Sequence, residues 1–218
     1  MDWHAWHHAY DRPDSPLVRR LRSVQEQIAL ALDQAPPGPL RAVSVCAGQG
    51  RDLIGALADH PRRHDVTARL VELDERNVAE ARQAAAALGL DKVEVVRGNA
   101  AETDRYTDLA PADLVLLCGL FGNITDEDIA RTVGYCERLC ATGGTLIWTR
   151  NRKEPDRFPW ICGLLEERGF TRVWLNSPEA RQGVGVHRFT GTPEPLVAGE
   201  RMFRFIGYDA MPGAGWTL

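Results

Sequence analysis

The chain has 218 residues, of which 44% are hydrophobic and 26% are charged, a composition that predicts one globular domain rather than a disordered chain. No apolar run approaches the roughly 18 residues that a membrane-spanning helix needs. The formal net charge of −4 argues against a nucleic-acid partner, because binding to phosphates depends mainly on an excess of Lys and Arg. These values favour a small-molecule partner and exclude a membrane span.

The cysteines and the N-terminus predict the compartment. Five cysteines are an odd number and lack the even framework of a small secreted domain. The first residues, MDWHAWHHAYD, contain no basic stretch followed by an apolar one, as a secretion signal would. The sequence therefore predicts a protein of the reducing cytoplasm.

A helix is the first clearly predicted element. Ser15 is suited to the N-cap, Pro16 to the first helical position, and apolar residues recur every three or four positions from Leu17 to Leu32. The sequence APPGP at residues 35–39 ends it, because proline cannot remain helical. Residues 1–39 are therefore predicted to form an N-terminal helical segment.

Short apolar runs then alternate with helical patterns as far as residue 190, and residues 191–218 form a C-terminal extension. This order predicts an α/β fold with a doubly wound, mostly parallel sheet and helices on both faces. Strands are predicted at 40–46, 68–73, 93–97, 113–118, 145–149, 172–175 and 184–190, with one more short strand at 201–206. Helices are predicted at 52–59, 75–88, 126–140 and 156–168.

The turn after the first strand is the expected ligand site, since ligands of such sheets bind beyond the carboxyl ends of the strands. It contains Gly48 and Gly50, which allow a tight turn and the close approach of a ligand to the main chain. The third glycine of a dinucleotide-binding turn is replaced by Leu53. NAD and FAD are therefore disfavoured.

Acidic and amide side chains follow the next two strands. Asp74 directly precedes a predicted helix and is explained as its N-cap, which leaves Glu72 as the candidate ligand of ribose hydroxyls. Asn99 follows the third strand and has two interpretations, a contact with an adenine edge or a capping box with Glu102.

The segments VCAGQG, VELD, RGNA, ADLVLLCG and ATGGTLIW together resemble motifs I to V of class I S-adenosylmethionine-dependent methyltransferases, with a Rossmann-like core over residues 40–190. The resemblance implies seven strands with a C-terminal antiparallel hairpin, and S-adenosylmethionine as the cofactor. It implies that residues 48–50 cradle the methionine end, that Glu72 binds both ribose hydroxyls, that Leu73 lines the adenine, and that Asn99 and Ala100 contact its edge. The cofactor residues expected are Cys46, Ala47, Gly48, Gln49, Gly50, Glu72, Leu73, Asn99, Ala100, Cys118 and Gly119.

The end of the fourth strand, residues 118–123, is expected to border both cofactor and acceptor. It lacks the Asn/Asp-Pro-Pro-aromatic sequence shared by enzymes that methylate amino groups of adenine or glutamine, which further disfavours nucleic-acid methylation. Phe121 and Trp148 could face an acceptor or fill the core, and Asn123 could bind substrate or form a turn. The acceptor-side candidates are Phe121, Asn123, Trp148 and Asn151.

The N-terminal residues include an aromatic stripe if they are helical, with Trp3, Trp6 and Tyr10 on one face. In the family that the chain resembles, segments ahead of motif I often fold over the cofactor, so we consider this segment as a lid. Its candidate catalytic residues are His7, His8 and Tyr10, where a histidine could take a proton from the acceptor. The alternative is a helix that packs its indoles against the sheet edge.

Metal binding is not expected. His4 and His8 are four residues apart, but spacing supplies no third ligand. Cys136 and Cys140 continue an apolar helix face and are predicted to be buried. His187 is interpreted as a hydrogen-bonded core histidine rather than a pocket residue.

The predicted function is methyl transfer from S-adenosylmethionine to an O, N or C atom of a small molecule, by in-line positioning and exclusion of water. The alternatives are aminopropyl transfer, a cofactor-binding regulatory or interaction protein, and nucleic-acid methylation. Only 39 residues precede the core and 28 follow it, so we expect a compact acceptor, an open pocket, or a wall supplied by the second subunit of a homodimer.

Overall fold

The computed structural model of the protein describes residues 2–12 and 14–207, apart from the side chains of Trp3 and His8. One sheet of seven strands organises the chain. The strands are β1 (Leu40–Val45), β2 (Val66–Glu72), β3 (Val93–Arg97), β4 (Ala112–Leu117), β5 (Cys140–Asn151), β6 (Phe170–Leu175) and β7 (Gln182–Phe189).

The strand order is β3-β2-β1-β4-β5-β7-β6. Strands β1 to β5 run parallel, and β7 is antiparallel to both β5 and β6. This confirms the predicted doubly wound, mostly parallel sheet with a C-terminal antiparallel hairpin. The order reverses between β1 and β4, and that is where such sheets bind their ligands.

Helices cover both faces of the sheet. On one face α2, α3 and α4 share an apolar core with residues such as Val24, Leu53 and Val78, while α5 and α6 pack on the other face through residues such as Ile129 and Ile161. The helices are α1 (Trp3–His7), α2 (Pro16–Gln34), α3 (Leu53–Leu57), α4 (Glu75–Ala87), α5 (Asp126–Leu139) and α6 (Phe158–Glu166), with 3₁₀ turns at His8–Asp11 and Thr103–Arg105. Among the described residues, none of the helices has the length and apolarity needed to span a membrane.

The predicted caps are confirmed. Ser15 Oγ accepts a hydrogen bond from Leu17 N at 3.2 Å at the start of α2, and Asp74 Oδ1 accepts one from Arg76 N at 2.9 Å at the start of α4. A capping oxygen satisfies an N–H group that has no partner within the helix.

The strand predicted at 201–206 is wrong. Arg201 makes a single bridge to Glu102, and the following residues form no ladder. Their N–H groups bond to loops and to a helix instead: Met202 N donates to Ala101 O at 2.9 Å, and Arg204 N donates to Asp128 Oδ2 at 3.1 Å. Met202 and Phe203 are buried, whereas Arg201, Arg204 and Phe205 are exposed, so burial does not alternate along this segment as it would in a half-buried strand.

The buried cysteines and the core histidine agree with their interpretation. Cys136 and Cys140 are fully buried, and their thiols are free. His187 is fully buried in β7, where its Nδ1 accepts a hydrogen bond from Trp148 Nε1 at 3.1 Å. Burial lowers the pKa of His187 to about 4.

His187 is expected to make the protein less stable in acid. In the unfolded chain the pKa of His187 is about 6.5, so between about pH 6.5 and pH 4 the unfolded state binds a proton that the folded state does not bind. The free energy of unfolding should therefore fall by up to about 3 kcal/mol between about pH 6.5 and pH 4 on this account alone. Urea unfolding of the wild type and of His187→Gln at several pH values tests this. Equal losses in the two proteins would contradict it.

Candidate functional site

A cavity of about 410 Å³ lies at the carboxyl ends of β1, β2 and β4. Its volume falls within the range of about 300–1,000 Å³ that is usual for small-molecule sites. It occupies the place where the strand order reverses. All the expected cofactor residues except Gly50 line it, namely Cys46, Ala47, Gly48, Gln49, Glu72, Leu73, Asn99, Ala100, Cys118 and Gly119.

The two glycines after β1 have different roles. Gly48 has a φ of 57° and faces the cavity, where an added Cβ would stand 2.4 Å from His7 Nε2. Gly50 has a φ of 67°, and its Cβ would stand 2.7 Å from Ile54 Cδ1 and from Leu70 Cδ2 in the core. Gly48 therefore lets the His7 ring lie directly against the turn, whereas Gly50 lets the turn pack on the sheet. Gly50 does not line the cavity, and its expected cofactor contact stays a prediction.

Glu72 is fixed at the edge of the cavity. The residue is 9% exposed, and its two carboxylate oxygens accept hydrogen bonds from Gly48 N and Asp74 N, both at 2.9 Å. Each carboxylate oxygen can accept more than one hydrogen bond, so both retain capacity for a ligand. Two backbone donors thus set the direction of this carboxylate in advance.

Asp74 also borders the cavity, but its carboxylate is occupied. It caps α4 and forms an ion pair with Arg76 at 2.7 Å. The Arg76 guanidinium lowers the pKa of Asp74 to about 2. This pairing agrees with the division predicted from the sequence, in which Asp74 serves the helix and Glu72 is left for a ligand.

Asn99 combines a turn role with a place in the cavity wall. Its Oδ1 accepts a hydrogen bond from Ala101 N at 3.1 Å, and its Nδ2 donates to Glu102 Oε1 at 3.4 Å. A 3₁₀ turn rather than an α-helix follows Asn99. The Asn99–Glu102 side-chain contact of the capping-box alternative is therefore present, but it does not cap an α-helix. Beside it Leu73 is 67% exposed and offers an apolar surface at the rim.

The N-terminal segment covers part of the cavity. Trp6, His7 and Tyr10 line it. Side-chain pairs hold this segment to the core, with Asp2 on Arg76 at 2.7 Å and His4 on Glu80 at 2.6 Å. A third pair joins Asp11 to Arg51 at 3.1 Å. The side chain of His8 lies outside the described part of the chain, and the described residues contain no cluster suited to a metal ion.

Sequence reasoning missed two buried ionisable residues in the cavity wall, Arg20 and Asp52. Arg20 is 8% exposed, stacks on the rings of Trp6 and Tyr10 at 5.9 and 5.8 Å, and donates a hydrogen bond to Tyr10 Oη. Asp52, also 8% exposed, accepts a hydrogen bond from Leu53 N at 2.8 Å. Burial raises the pKa of Asp52, and the charge of Arg20 opposes that rise. The sequence signal that could have indicated the burial of Arg20 is its position among the apolar residues of the buried face of α2.

The C-terminal segment supplies a second wall that the sequence did not indicate. Phe203 and Phe205 line the cavity. The segment is held by Asn123, whose backbone oxygen accepts from Ile206 N at 2.9 Å and whose Nδ2 donates to Gly119 O at 2.6 Å. Asn123 itself lines the cavity and is 2% exposed.

Three of the expected acceptor-side residues do not reach the cavity. Phe121 and Trp148 are fully buried with ring centroids 5.8 Å apart, and Asn151 accepts a hydrogen bond from Lys153 N at 3.3 Å. None of the three lines the cavity. Trp148 packs on Phe158 of α6, with ring centroids 4.4 Å apart, and the acceptor-side role of all three residues stays a prediction. Of the four candidates, the structure brings Asn123 alone to the cavity.

A glycine turn beside a fixed carboxylate, at the switch point of a doubly wound sheet, is typical of Rossmann-like proteins that bind a nucleoside-containing ligand. The sequence model of the family described as "Putative methyltransferase" matches residues 17–173. The chain therefore belongs to this methyltransferase family, with the Rossmann-like fold of class I S-adenosylmethionine-dependent methyltransferases.

Solved structures show the same fold at low identity. An O-methyltransferase family protein from Burkholderia thailandensis is 19% identical with a TM-score of 0.63, and the match covers 82% of this chain and 58% of that one. The CurJ carbon methyltransferase is 16% identical with a TM-score of 0.67, over 84% of this chain and 57% of that one. A curated relative, "Uncharacterized protein YnbC" of Escherichia coli (strain K12), is 27% identical over 139 residues. That match covers 62% of this chain and 23% of the relative, so the chain spans about a quarter of the relative's length.

Proposed function

We propose that the protein is an S-adenosylmethionine-dependent methyltransferase that methylates an O, N or C atom of a small molecule by in-line transfer. The observation that carries the proposal is Glu72. Its carboxylate is held by Gly48 N and Asp74 N at the cavity edge with hydrogen-bonding capacity left over. A carboxylate in this position suits a pair of ribose hydroxyls.

The residues around Glu72 fit the rest of the cofactor. Gly48 lines the cavity without a side chain, which suits the methionine end, and the exposed face of Leu73 suits an adenine ring. Asn99 and Ala100 stand in the wall where the adenine edge would be held, and Cys118 and Gly119 form the wall beside the end of β4.

When bound, S-adenosylmethionine supplies a methyl group that its sulfonium already activates. The chain then has to orient the acceptor and exclude water. Aromatic side chains from both terminal segments, Trp6, Tyr10 and Phe203, support this second task because they line the same cavity. We propose the N-terminal segment as the lid, with His7 and Tyr10 as candidates to take a proton from a hydroxyl or ammonium acceptor. His8 stays a candidate from the sequence alone.

The acceptor is proposed to be small and to contact Asn123. The net charge of −4 and a cavity of about 410 Å³ that a cofactor would share both support a small molecule. The five free thiols support the cytoplasm as its compartment. No observation favours aminopropyl transfer or a purely regulatory role.

An assay with methyl-labelled S-adenosylmethionine tests the class of acceptor. The protein is incubated with a cell extract separated into metabolite, protein and RNA fractions, and Glu72→Ala serves as the control. We expect label to enter the metabolite fraction only with the wild type. Transfer to protein or RNA would contradict a small-molecule acceptor, and binding without any transfer would favour the regulatory alternative.

S-Adenosylhomocysteine is expected to protect two of the five cysteines from alkylation. Cys46 and Cys118 line the cavity, whereas Cys136, Cys140 and Cys162 are buried elsewhere. Burial raises the pKa of the Cys46 and Cys118 thiols, so the reaction has to be followed at alkaline pH. Peptide mass spectrometry after N-ethylmaleimide treatment should show several-fold slower modification at these two positions. Protection confined to the other three would place the ligand elsewhere.

A further inference from the structure

Asn77 is a buried amide without partners in the wall of the cavity. It is fully buried, and neither its Nδ2 nor its Oδ1 has a hydrogen-bond partner. It lines the cavity together with Glu72 and Asp74. A buried amide that is left unpaired costs folding free energy, so most buried polar groups in native proteins are paired.

The fold of α4 does not require a polar residue at position 77. The buried face of α4 consists of Asn77, Val78, Ala81 and Ala85, and the three apolar members pack in the core shared with α3. An apolar residue at position 77 would continue this stripe without leaving an unpaired group. The amide is therefore better explained by a ligand than by the fold.

We propose that Asn77 is a second hydrogen-bonding residue for the ribose of the bound nucleoside, acting with Glu72. This inference rests on the proposed function. A carboxylate only accepts hydrogen bonds. Glu72 can therefore accept a hydrogen bond from each ribose hydroxyl, but it donates none to the hydroxyl oxygens. Asn77 Nδ2 supplies a donor to one of these oxygens. Such a pair selects a ligand that has both hydroxyls.

The proposal predicts opposite effects on stability and on binding. Asn77→Leu has nearly the same shape and removes the unpaired group, so the ligand-free protein should melt at a higher temperature than the wild type. The same variant should bind S-adenosylhomocysteine about tenfold more weakly or worse. An amide with a purely structural role would instead lower the melting temperature and leave the affinity unchanged.

Asn176 provides a matched control. Its Nδ2 donates to Gln182 O at 2.8 Å, and its Oδ1 accepts from Val184 N at 2.9 Å, outside the cavity. Asn176→Leu should therefore lower the melting temperature and leave ligand affinity unchanged. The comparison separates the removal of a paired amide from the removal of an unpaired one.

Calorimetry with S-adenosylhomocysteine and thermal unfolding without ligand, on the wild type and both variants, test the proposal. Unchanged affinity in Asn77→Leu overturns it, whereas a wild type that binds no S-adenosylhomocysteine overturns the proposed function instead. Adenosine and its 2′-deoxy and 3′-deoxy analogues test the ribose assignment, since Asn77→Leu should reduce the preference for adenosine over one of them. An unreduced preference overturns that assignment. If the leucine variant does not fold, Asn77→Ser carries the same affinity tests.

Discussion

Glu72→Ala is expected to weaken S-adenosylhomocysteine binding about 100-fold or more. The carboxylate would make two hydrogen bonds to ribose hydroxyls, and hydrogen bonds to a charged group contribute about 1.5–3 kcal/mol each. The substitution also removes the acceptor that Gly48 N and Asp74 N share, so the turn that faces the ligand loses its support. Calorimetry measures the change directly.

Asp74→Ala is the matched comparison for Glu72→Ala. Asp74 borders the same cavity, but its carboxylate is used by Arg76 and by the first turn of α4. Loss of an N-cap should cost about 1 kcal/mol of stability and change affinity far less than Glu72→Ala does. If Asp74→Ala weakened binding more than Glu72→Ala, the assignment of the ribose contact to Glu72 would be wrong.

Gly50→Ala is expected to lower the free energy of unfolding by about 2–4 kcal/mol, because it adds both backbone strain and crowding. A left-handed φ of 67° is unfavourable for alanine, and the new methyl group would stand 2.7 Å from the side chains of Ile54 and Leu70. Both side chains are buried and have little room to move. Urea unfolding of the variant measures the loss.

Gly89→Ala separates these two causes. Gly89 has a φ of 63°, yet an added Cβ would meet nothing within 4 Å. This variant should show the backbone cost alone, about 1 kcal/mol. Equal losses at positions 50 and 89 would mean that the packing of Gly50 against the sheet contributes nothing.

The fold could be predicted because its signals are local. Ser15 and Asp74 precede helical patterns with a suitable capping oxygen, and the strands are short apolar runs between them. The order of elements then restricts the topology to a mostly parallel sheet. The strand predicted at 201–206 does not form, because the N–H groups of Met202 and Arg204 bond to a loop and to a helix that are distant in sequence.

The cofactor side of the cavity could be predicted for a similar reason, since the ends of parallel strands meet at one edge of the sheet. Its other walls could not, because they depend on contacts distant in sequence. Phe203 reaches the cavity only because Asn123 and Asp128 hold the C-terminal segment across the end of the sheet. The roles of Arg20 and Asn77 were not predicted for another reason. Each is a single polar residue on an otherwise apolar helix face, and a search for apolar periodicity does not detect such a residue.

The central claim is that the cavity binds the nucleoside cofactor of a methyltransferase through Glu72. Isothermal titration calorimetry of the purified protein with S-adenosylhomocysteine, with Glu72→Ala as control, tests it most directly. We expect binding at one site per chain that is strongly reduced in the variant. No binding by the folded wild type, or equal binding by both proteins, would contradict the account.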